Sequence, residues 1–552
     1  MSHCKIPFAT YFLAGVLAAG ALLRGAEETP AAAPNVRLLR QIILADNIET
    51  APALKSVPDG GFLIVPTSLA AIDKEDLLRR LKAGENRPID DRLLAGIATV
   101  VETFMKSTGF ALATVVIPPQ NIADGTLRVV VLPGKVRHIK FEGNHWFSES
   151  LLREKMRLER GNLVRVSELE RALAATNNNP YRRVKVHVEP VPDTGEADLF
   201  VGVQDRLPLR LTVGYENTGN EILGYDRYSV GLTYGNLWGL EHQITYQQMF
   251  SQSTTLFRAH AIDYRAPLSW GHVFSFSGSY AKVNPTFYSG LFTQLGKSTN
   301  ADAKYTIPFH LKQWDGEFTS TLGFKQSNNN LEFGGVPAFG NTSDLFTGSI
   351  SAAIMRPDKR GRWAVSATLT GSPGNLNNRN NEATFTESRV GANPHYGYAQ
   401  FWAQRVTWVT PQLTSLARIS TQLASTNLVP SEQFSVGGAY TVRGYEERIL
   451  TGDGGYIATH ELQHALPALS LGQRLPKLES SAAFFWDYGR TIIKHPLIGE
   501  AKSVYLSSVG IGLRLSLANN FSASADYARQ LEEVETPGAA HSRLHVKMTL
   551  AY

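Results

Sequence analysis

Cysteine is nearly missing from this sequence of 552 residues, the one example being Cys4. Long uncharged apolar runs are scarce too. The stretch Phe8–Leu23 is shorter than the roughly 20 residues a spanning helix needs, and no later segment without charges reaches roughly 20 either. With Lys5 before it and Gly25 and Ala26 after it, this stretch reads as a signal peptide over residues 1–26. Removing it removes Cys4, which excludes a disulfide framework and a thiolate site from the exported chain. A lipoprotein is disfavoured, because Cys4 precedes the apolar run. Charge of one sign is also lacking: 54 basic residues face 49 acidic ones, a formal +5, and no basic tract stands out. The balance gives no ground for a nucleic-acid partner or a polybasic arm. A phosphate-cradling Gly-x-x-x-x-Gly-Lys-Ser/Thr loop is absent, so no motor is built in. No catalytic residue, metal or cofactor is predicted.

What is present divides the chain. Residues 27–35 form a short Pro/Ala/Glu-rich linker, and a first α+β module follows over 36–133. Val36–Leu44 reads as a strand, followed by a looser insertion to about Pro66. Leu77, Leu78 and Leu81, then Leu93, Leu94, Ile97, Val100, Val101, Phe104 and Met105, fall at helical spacing and predict two helices. Ala111–Ile117 and Leu127–Leu132 read as strands. The same order recurs over 134–206: strand Val136–Phe141, a helix capped by Ser148, a second helix opened by a Ser167/Glu170 capping box, and strands Val184–Val188 and Leu199–Val203. Past Pro208 the period changes to two. Leu209, Leu211, Val213 and Tyr215 alternate with Arg210, Thr212 and Gly214, and Val509, Ile511, Leu513, Leu515 and Leu517 alternate with small or polar residues. Gln326–Gly335 and Gly371–Glu382, rich in Gly and Asn, read as turns and exposed loops. At roughly 20 residues per strand and connection, residues 207–552 make an all-β transmembrane barrel of about 16 antiparallel strands. The end of the chain, Leu544 to Leu550 and Tyr552, alternates like a full strand, as closure against the first strand requires in lipid. Leu550 and Tyr552 are the candidate assembly residues.

Several segments together resemble the outer-membrane transporters of two-partner secretion, the haemolysin and haemagglutinin secretion/activation family of the Omp85 superfamily. Gln120-Asn121-Ile122-Ala123-Asp124-Gly125 is similar to its first polypeptide-transport-associated (POTRA) domain. Phe141-Glu142-Gly143-Asn144 and Asn179-Pro180-Tyr181-Arg182 are similar to the second. Val442-Arg443-Gly444-Tyr445 resembles the tip of a loop folded back into the barrel, and Phe485-Trp486-Asp487-Tyr488-Gly489 resembles the strand motif that meets it. The resemblance implies that Val442, Arg443, Gly444 and Tyr445 form a loop latch with Phe485, Asp487 and Gly489 as partners. The residues agree: Asp487 stands among Phe484, Phe485, Trp486 and Tyr488, poor surroundings for a free carboxylate, and a guanidinium can engage it bidentately. The resemblance further implies an outer-membrane pore with its modules in the periplasm. Its partners would be an unfolded exoprotein, often β-helical, the membrane lipid, and the barrel-assembly machinery during biogenesis.

Three other readings compete. His460-Glu461-Leu462-Gln463-His464 matches the H-E-x-x-H zinc-protease pattern, which needs a helix to bring its histidines about 5.4 Å apart; on a strand they stand about 13 Å apart. A barrel-assembly insertase would open between its first and last strands. A passive porin would leave both modules unexplained.

Overall fold

The computed structural model describes residues 37–552, apart from 59–60, 66–72, 111–112, 133, 162–164, 192–195, 285, 288–291, 312, 334–335, 473–475 and 534–540. The expected signal peptide, the linker and the end of the first strand at Val36 lie outside the described residues. In the first module, helices Lys74–Leu81 and Asp91–Ser107 are N-capped by the Asp73 and Asp90 carboxylates. They pack Leu77, Leu81, Ile97, Val101 and Phe104 on Ile42, Leu44, Leu127 and Val129 of a four-stranded sheet. Its order is Leu63–Ile64, Gln41–Ala45, Thr126–Leu132, Thr114–Val116, so the insertion contributes a short strand that periodicity could not register. The Gln120 to Gly125 segment has a local cause. The Gln120 amide receives the Arg128 N–H at 2.7 Å and donates to the Arg128 carbonyl at 2.8 Å, and Gly125 turns at φ +74 where a Cβ would lie 2.7 Å from the Leu38 carbonyl oxygen.

The second module places strand Glu196–Asp205 between Lys135–Glu142 and Arg182–Val191, with helices Glu149–Met156 and Val166–Asn177. Ser148 caps the first helix through the Leu151 N–H. The second begins at Val166, so Ser167 lies inside its first turn instead of capping it. A cap signal two residues late is an ordinary end effect.

Sixteen full strands close the barrel, from the first, Leu209–Glu216, to the sixteenth, Ser542–Ala551, each antiparallel to its neighbours. Closure joins Lys547–Ala551 to Thr212–Glu216, and the Tyr552 N–H donates to the Leu211 carbonyl at 2.9 Å. Alternation sorts the side chains by solvent: Leu211, Leu232, Leu322, Leu369, Ile511 and Leu550 face outward and exposed, as a lipid-facing wall requires. Among the described residues, no helix is long and apolar enough to cross a membrane.

Two segments read as loops are partly strand. The seventh strand, Trp314–Phe333, takes in Gln326–Phe333 of the first segment and pairs with the eighth, Val336–Asp358, with Asn328 opposite Thr342. Strands that outrun the bilayer stand in water on both faces, so apolar alternation lapses while the backbone ladder continues. The ninth strand, Gly361–Pro373, likewise enters the Gly371–Glu382 segment, which ends on a helix, Glu382–Ser388, capped by Asn381. That helix buries Phe385 against Leu345, Tyr396 and Leu428, contacts too distant in sequence to leave a periodic signal.

The Asn179-Pro180-Tyr181-Arg182 turn seats the second module on the barrel. Tyr181 lies on Gly235, where a Cβ would come within 2.4 Å of its ring. Arg182 is wholly buried, ion-paired with Glu241 and stacked 4.8 Å from the Phe147 ring centre, while Lys155 reaches Glu241 at 3.1 Å. Burial pulls the Arg182 guanidinium below its usual pKa, and Glu241 counters this. Glu241→Ala leaves a buried cation unpaired at a cost of about 3 to 5 kcal/mol. Faster tryptic cleavage at Arg206, with the barrel still resistant, is the expected result.

Candidate functional site

Between the eleventh strand, Leu413–Ala424, and the twelfth, Gly454–Leu469, the chain leaves the wall and folds into the lumen. Phe434–Val436 pairs with Leu450–Gly452 to stiffen this loop, and Val442-Arg443-Gly444-Tyr445 forms its far end. The thirteenth strand, Leu478–Ile492, carries the facing motif. Period-two geometry turns Phe485, Asp487 and Gly489 inward, while Phe484 and Trp486 are exposed on the outer face.

The two motifs interlock atom by atom. Arg443 donates from Nε to Asp487 Oδ2 at 2.7 Å, from Nη2 to Oδ1 at 2.9 Å, and from its backbone N–H to Oδ2 at 3.2 Å. Its guanidinium lies 3.3 Å above the centre of the Phe485 ring. Gly489 leaves room for the loop: a Cβ there would sit 2.5 Å from Val436 and 2.8 Å from Val442. Gly444, at φ +93, passes so close to the fifteenth strand, Phe521–Gln530, that a Cβ would lie 3.2 Å from the Ala528 carbonyl oxygen. Its N–H donates to His545 Nε2 at 3.0 Å, and its carbonyl accepts from Gln530 at 2.7 Å. The Tyr445 hydroxyl lies 2.7 Å from the Glu532 carbonyl and 2.9 Å from that of Ser507.

Sequence reasoning paired Arg443 with Asp487 alone and missed the surrounding charges. Arg443 Nη1 also donates to Glu461 at 2.8 Å and stands 3.6 Å from Asp526, and Arg514 bridges the same two carboxylates at 3.2 and 2.7 Å. Two guanidiniums thus hold three carboxylates in a buried network. Burial alone would pull the Arg443 pKa down, but Asp487 and then Glu461 raise it above the usual arginine value, so the charge is permanent. A usable signal did exist for three of the four: Arg514, Asp526 and His545 each occupy the inward register of a strand beside apolar outward residues, whereas the outward neighbours of Glu461 include His460. Near the seam, Tyr440 donates to Glu216 at 2.7 Å and accepts from Lys547 at 2.9 Å, touching the first and last strands together.

The H-E-x-x-H segment is strand, not helix. Glu461 points into the network while His460 and His464 face outward, His460 lying 3.0 Å from the Ser415 hydroxyl. A glutamate on the opposite face cannot serve as base on a metal held by those histidines. His464→Ala is expected to leave export unchanged, whereas Glu461→Ala, by freeing Arg443 and Arg514, should impair it; a secretion assay on both variants checks this.

Comparison with known proteins fits this geometry. The haemolysin secretion/activation protein family (ShlB/FhaC/HecB) matches residues 195–515, the ShlB-type POTRA domain matches 67–134, and a surface-antigen variable-number repeat of POTRA type matches 134–206. The haem/hemopexin transporter protein HuxB of Haemophilus influenzae is 22% identical over 470 residues, covering 83% of this chain and 81% of that protein. The outer membrane transporter CdiB-2 of Burkholderia pseudomallei is 23% identical over 450 residues, covering 75% and 69%. The structure of CdiB from Escherichia coli superposes with a TM-score of 0.66 at 16% identity, covering 95% of this chain and 93% of that one.

Proposed function

Because the chain belongs to the haemolysin secretion/activation family, we propose that its lumen loop is a latch whose release opens a polypeptide path. The chain is an outer-membrane transporter of two-partner secretion, with POTRA modules in the periplasm and a barrel that carries a partner protein to the cell surface. The observation that carries the proposal is the five-contact engagement of Arg443 with Asp487, Glu461 and Phe485 at the end of a loop lying in the lumen. A latch must hold firmly yet let go. Charge-assisted hydrogen bonds meet both demands: they are strong in the dry closed state, and water can replace them once the loop moves.

In this reading the modules, 36–133 and 134–206, receive an unfolded exoprotein, by strand addition to a sheet edge or by filling a helix–strand groove. The polypeptide then passes through the barrel, 207–552. No nucleotide is hydrolysed and no catalytic step is involved; folding of the emerging partner outside, into a β-helix whose repeats stack progressively, gives direction. Leu550 and Tyr552 complete the strand that the barrel-assembly machinery reads during insertion.

The second reading, an insertase opening at the seam, draws on the short closure: five residue pairs, Lys547–Ala551 with Thr212–Glu216. Tyr440 braces that seam from inside, which favours a seam that stays shut. Deleting residues 37–205 separates the two. The transporter reading predicts loss of one secreted protein from the medium with other outer-membrane barrels intact; loss of many barrels would support the insertase.

A further inference from the structure

We infer that the outer wall of the barrel carries a binding site for an anionic phospholipid headgroup of the periplasmic leaflet, built from a Trp–Arg–Trp–Arg row across four neighbouring strands. The row runs Trp314, Arg356, Trp363, Arg405. Strand register places Arg356 opposite Trp363 and Trp363 opposite Arg405. The guanidinium of Arg356 stacks 5.2 Å from the Trp314 ring centre, and that of Arg405 lies 5.1 Å from Trp363.

All four share the lipid-facing side. Phe318, Ile350, Leu369 and Phe401 are exposed on the outer wall of the same strands, and each lies an even number of residues from its row member. Depth follows from connectivity. The first strand starts where the second module ends, so the turns between even and odd strands, including 359–360, lie at that periplasmic end. Trp238 and Trp270, 71% and 59% exposed, mark the same level at neighbouring turns, as an interfacial aromatic belt does. A lipid-facing arginine costs about 2 to 4 kcal/mol at the midplane and about 0 to 1 near the interface, so only a headgroup-level position makes two of them tolerable.

The charges are suited to a phosphate. Arg405 is already matched: it pairs with Asp358 and donates from Nε to Thr407 at 3.2 Å. Arg356 is not. Its Nη2 donates to Gln313 at 3.0 Å, but its Nε–H, shielded from water, has no partner among the described residues. Lys359 and Arg360 stand exposed in the adjoining turn, so Arg356–Arg360 holds three basic residues against the single Asp358. This is a local basic tract, which the even balance of the whole chain conceals and which corrects the expectation that none exists. A guanidinium without an ion pair among the described residues, a cluster of cations and flanking indole faces, all at headgroup depth, together fit a phosphodiester bearing acyl chains.

The test is native mass spectrometry of the full chain in detergent, with phosphatidylglycerol as probe, phosphatidylcholine as reference and lipid A as the competing source of phosphate. Phosphatidylglycerol should be retained over phosphatidylcholine, and Arg356→Gln combined with Lys359→Gln should weaken it about thirtyfold, at about fivefold per cation. Lipid A should not displace it. Equal retention of the two phospholipids, an unchanged double variant, or displacement by lipid A would each overturn the assignment. Lys359→Gln alone, in the exposed turn and away from both tryptophans, gives the same readout at about fivefold should the double variant fail to fold.

Discussion

Arg443→Ala is expected to raise the resting conductance of the purified barrel in a planar bilayer and to abolish most export of the partner protein. The variant removes one cation from a network in which two guanidiniums hold three carboxylates, leaving Asp487 fully buried without its fork of donors. Breaking a buried pair on one side costs about 3 to 5 kcal/mol, enough to shift the balance between closed and open loop by a factor of about a hundred to a few thousand. Arg443→Lys should recover only part of this. A single ammonium cannot reproduce the paired Nε and Nη2 bonds to Asp487 or the stacking on Phe485. Unchanged conductance and unchanged export in Arg443→Ala would remove the latch from the account.

Removing Leu550, Ala551 and Tyr552 is expected to prevent accumulation of the folded barrel. These residues provide two of the five closure pairs, Leu550 with Val213 and Ala551 with Thr212, and Tyr552 exchanges backbone bonds with Leu211 at 2.9 and 3.0 Å. In lipid, each backbone group left without a partner costs several kcal/mol, so the shortened strand exposes an edge the bilayer cannot solvate. The measurement is heat-modifiable mobility of the barrel in outer-membrane fractions. Tyr552→Phe, which keeps the backbone and an aromatic end, should behave as the parent.

The legible parts of the sequence were those where a single solvent boundary acts on a single strand. Lipid outside and water inside impose period two, so the barrel could be read from Leu209, Leu211 and Val213 and from the closing strand. The helices of the first module were readable because Leu77, Ile97 and Phe104 face one core. Where the strands leave the bilayer, the boundary disappears; for that reason Asn328 looked like loop although it sits in a ladder. The latch was only half legible. Asp487 stood out among aromatics, but Glu461, Arg514 and Asp526 come from three different strands and meet only when the cylinder closes. Glu461 was further hidden in a pattern that mimics a metal site. The row of Trp314, Arg356, Trp363 and Arg405 shows the same limit, since cross-strand neighbours separated by turns and whole hairpins carry no common period.

The central claim is that a polypeptide crosses this membrane through the lumen. A photo-crosslinking residue at Ser327, which lines a cavity of about 1060 Å³ beside Val429 and Ser431 of the lumen loop, should capture one secreted protein in transit. The same residue at Leu322, exposed on the lipid face of the same strand, should capture none. Capture of a secreted chain from Leu322 but not from Ser327, or of immature barrel proteins along the seam of the first and sixteenth strands, would contradict the account.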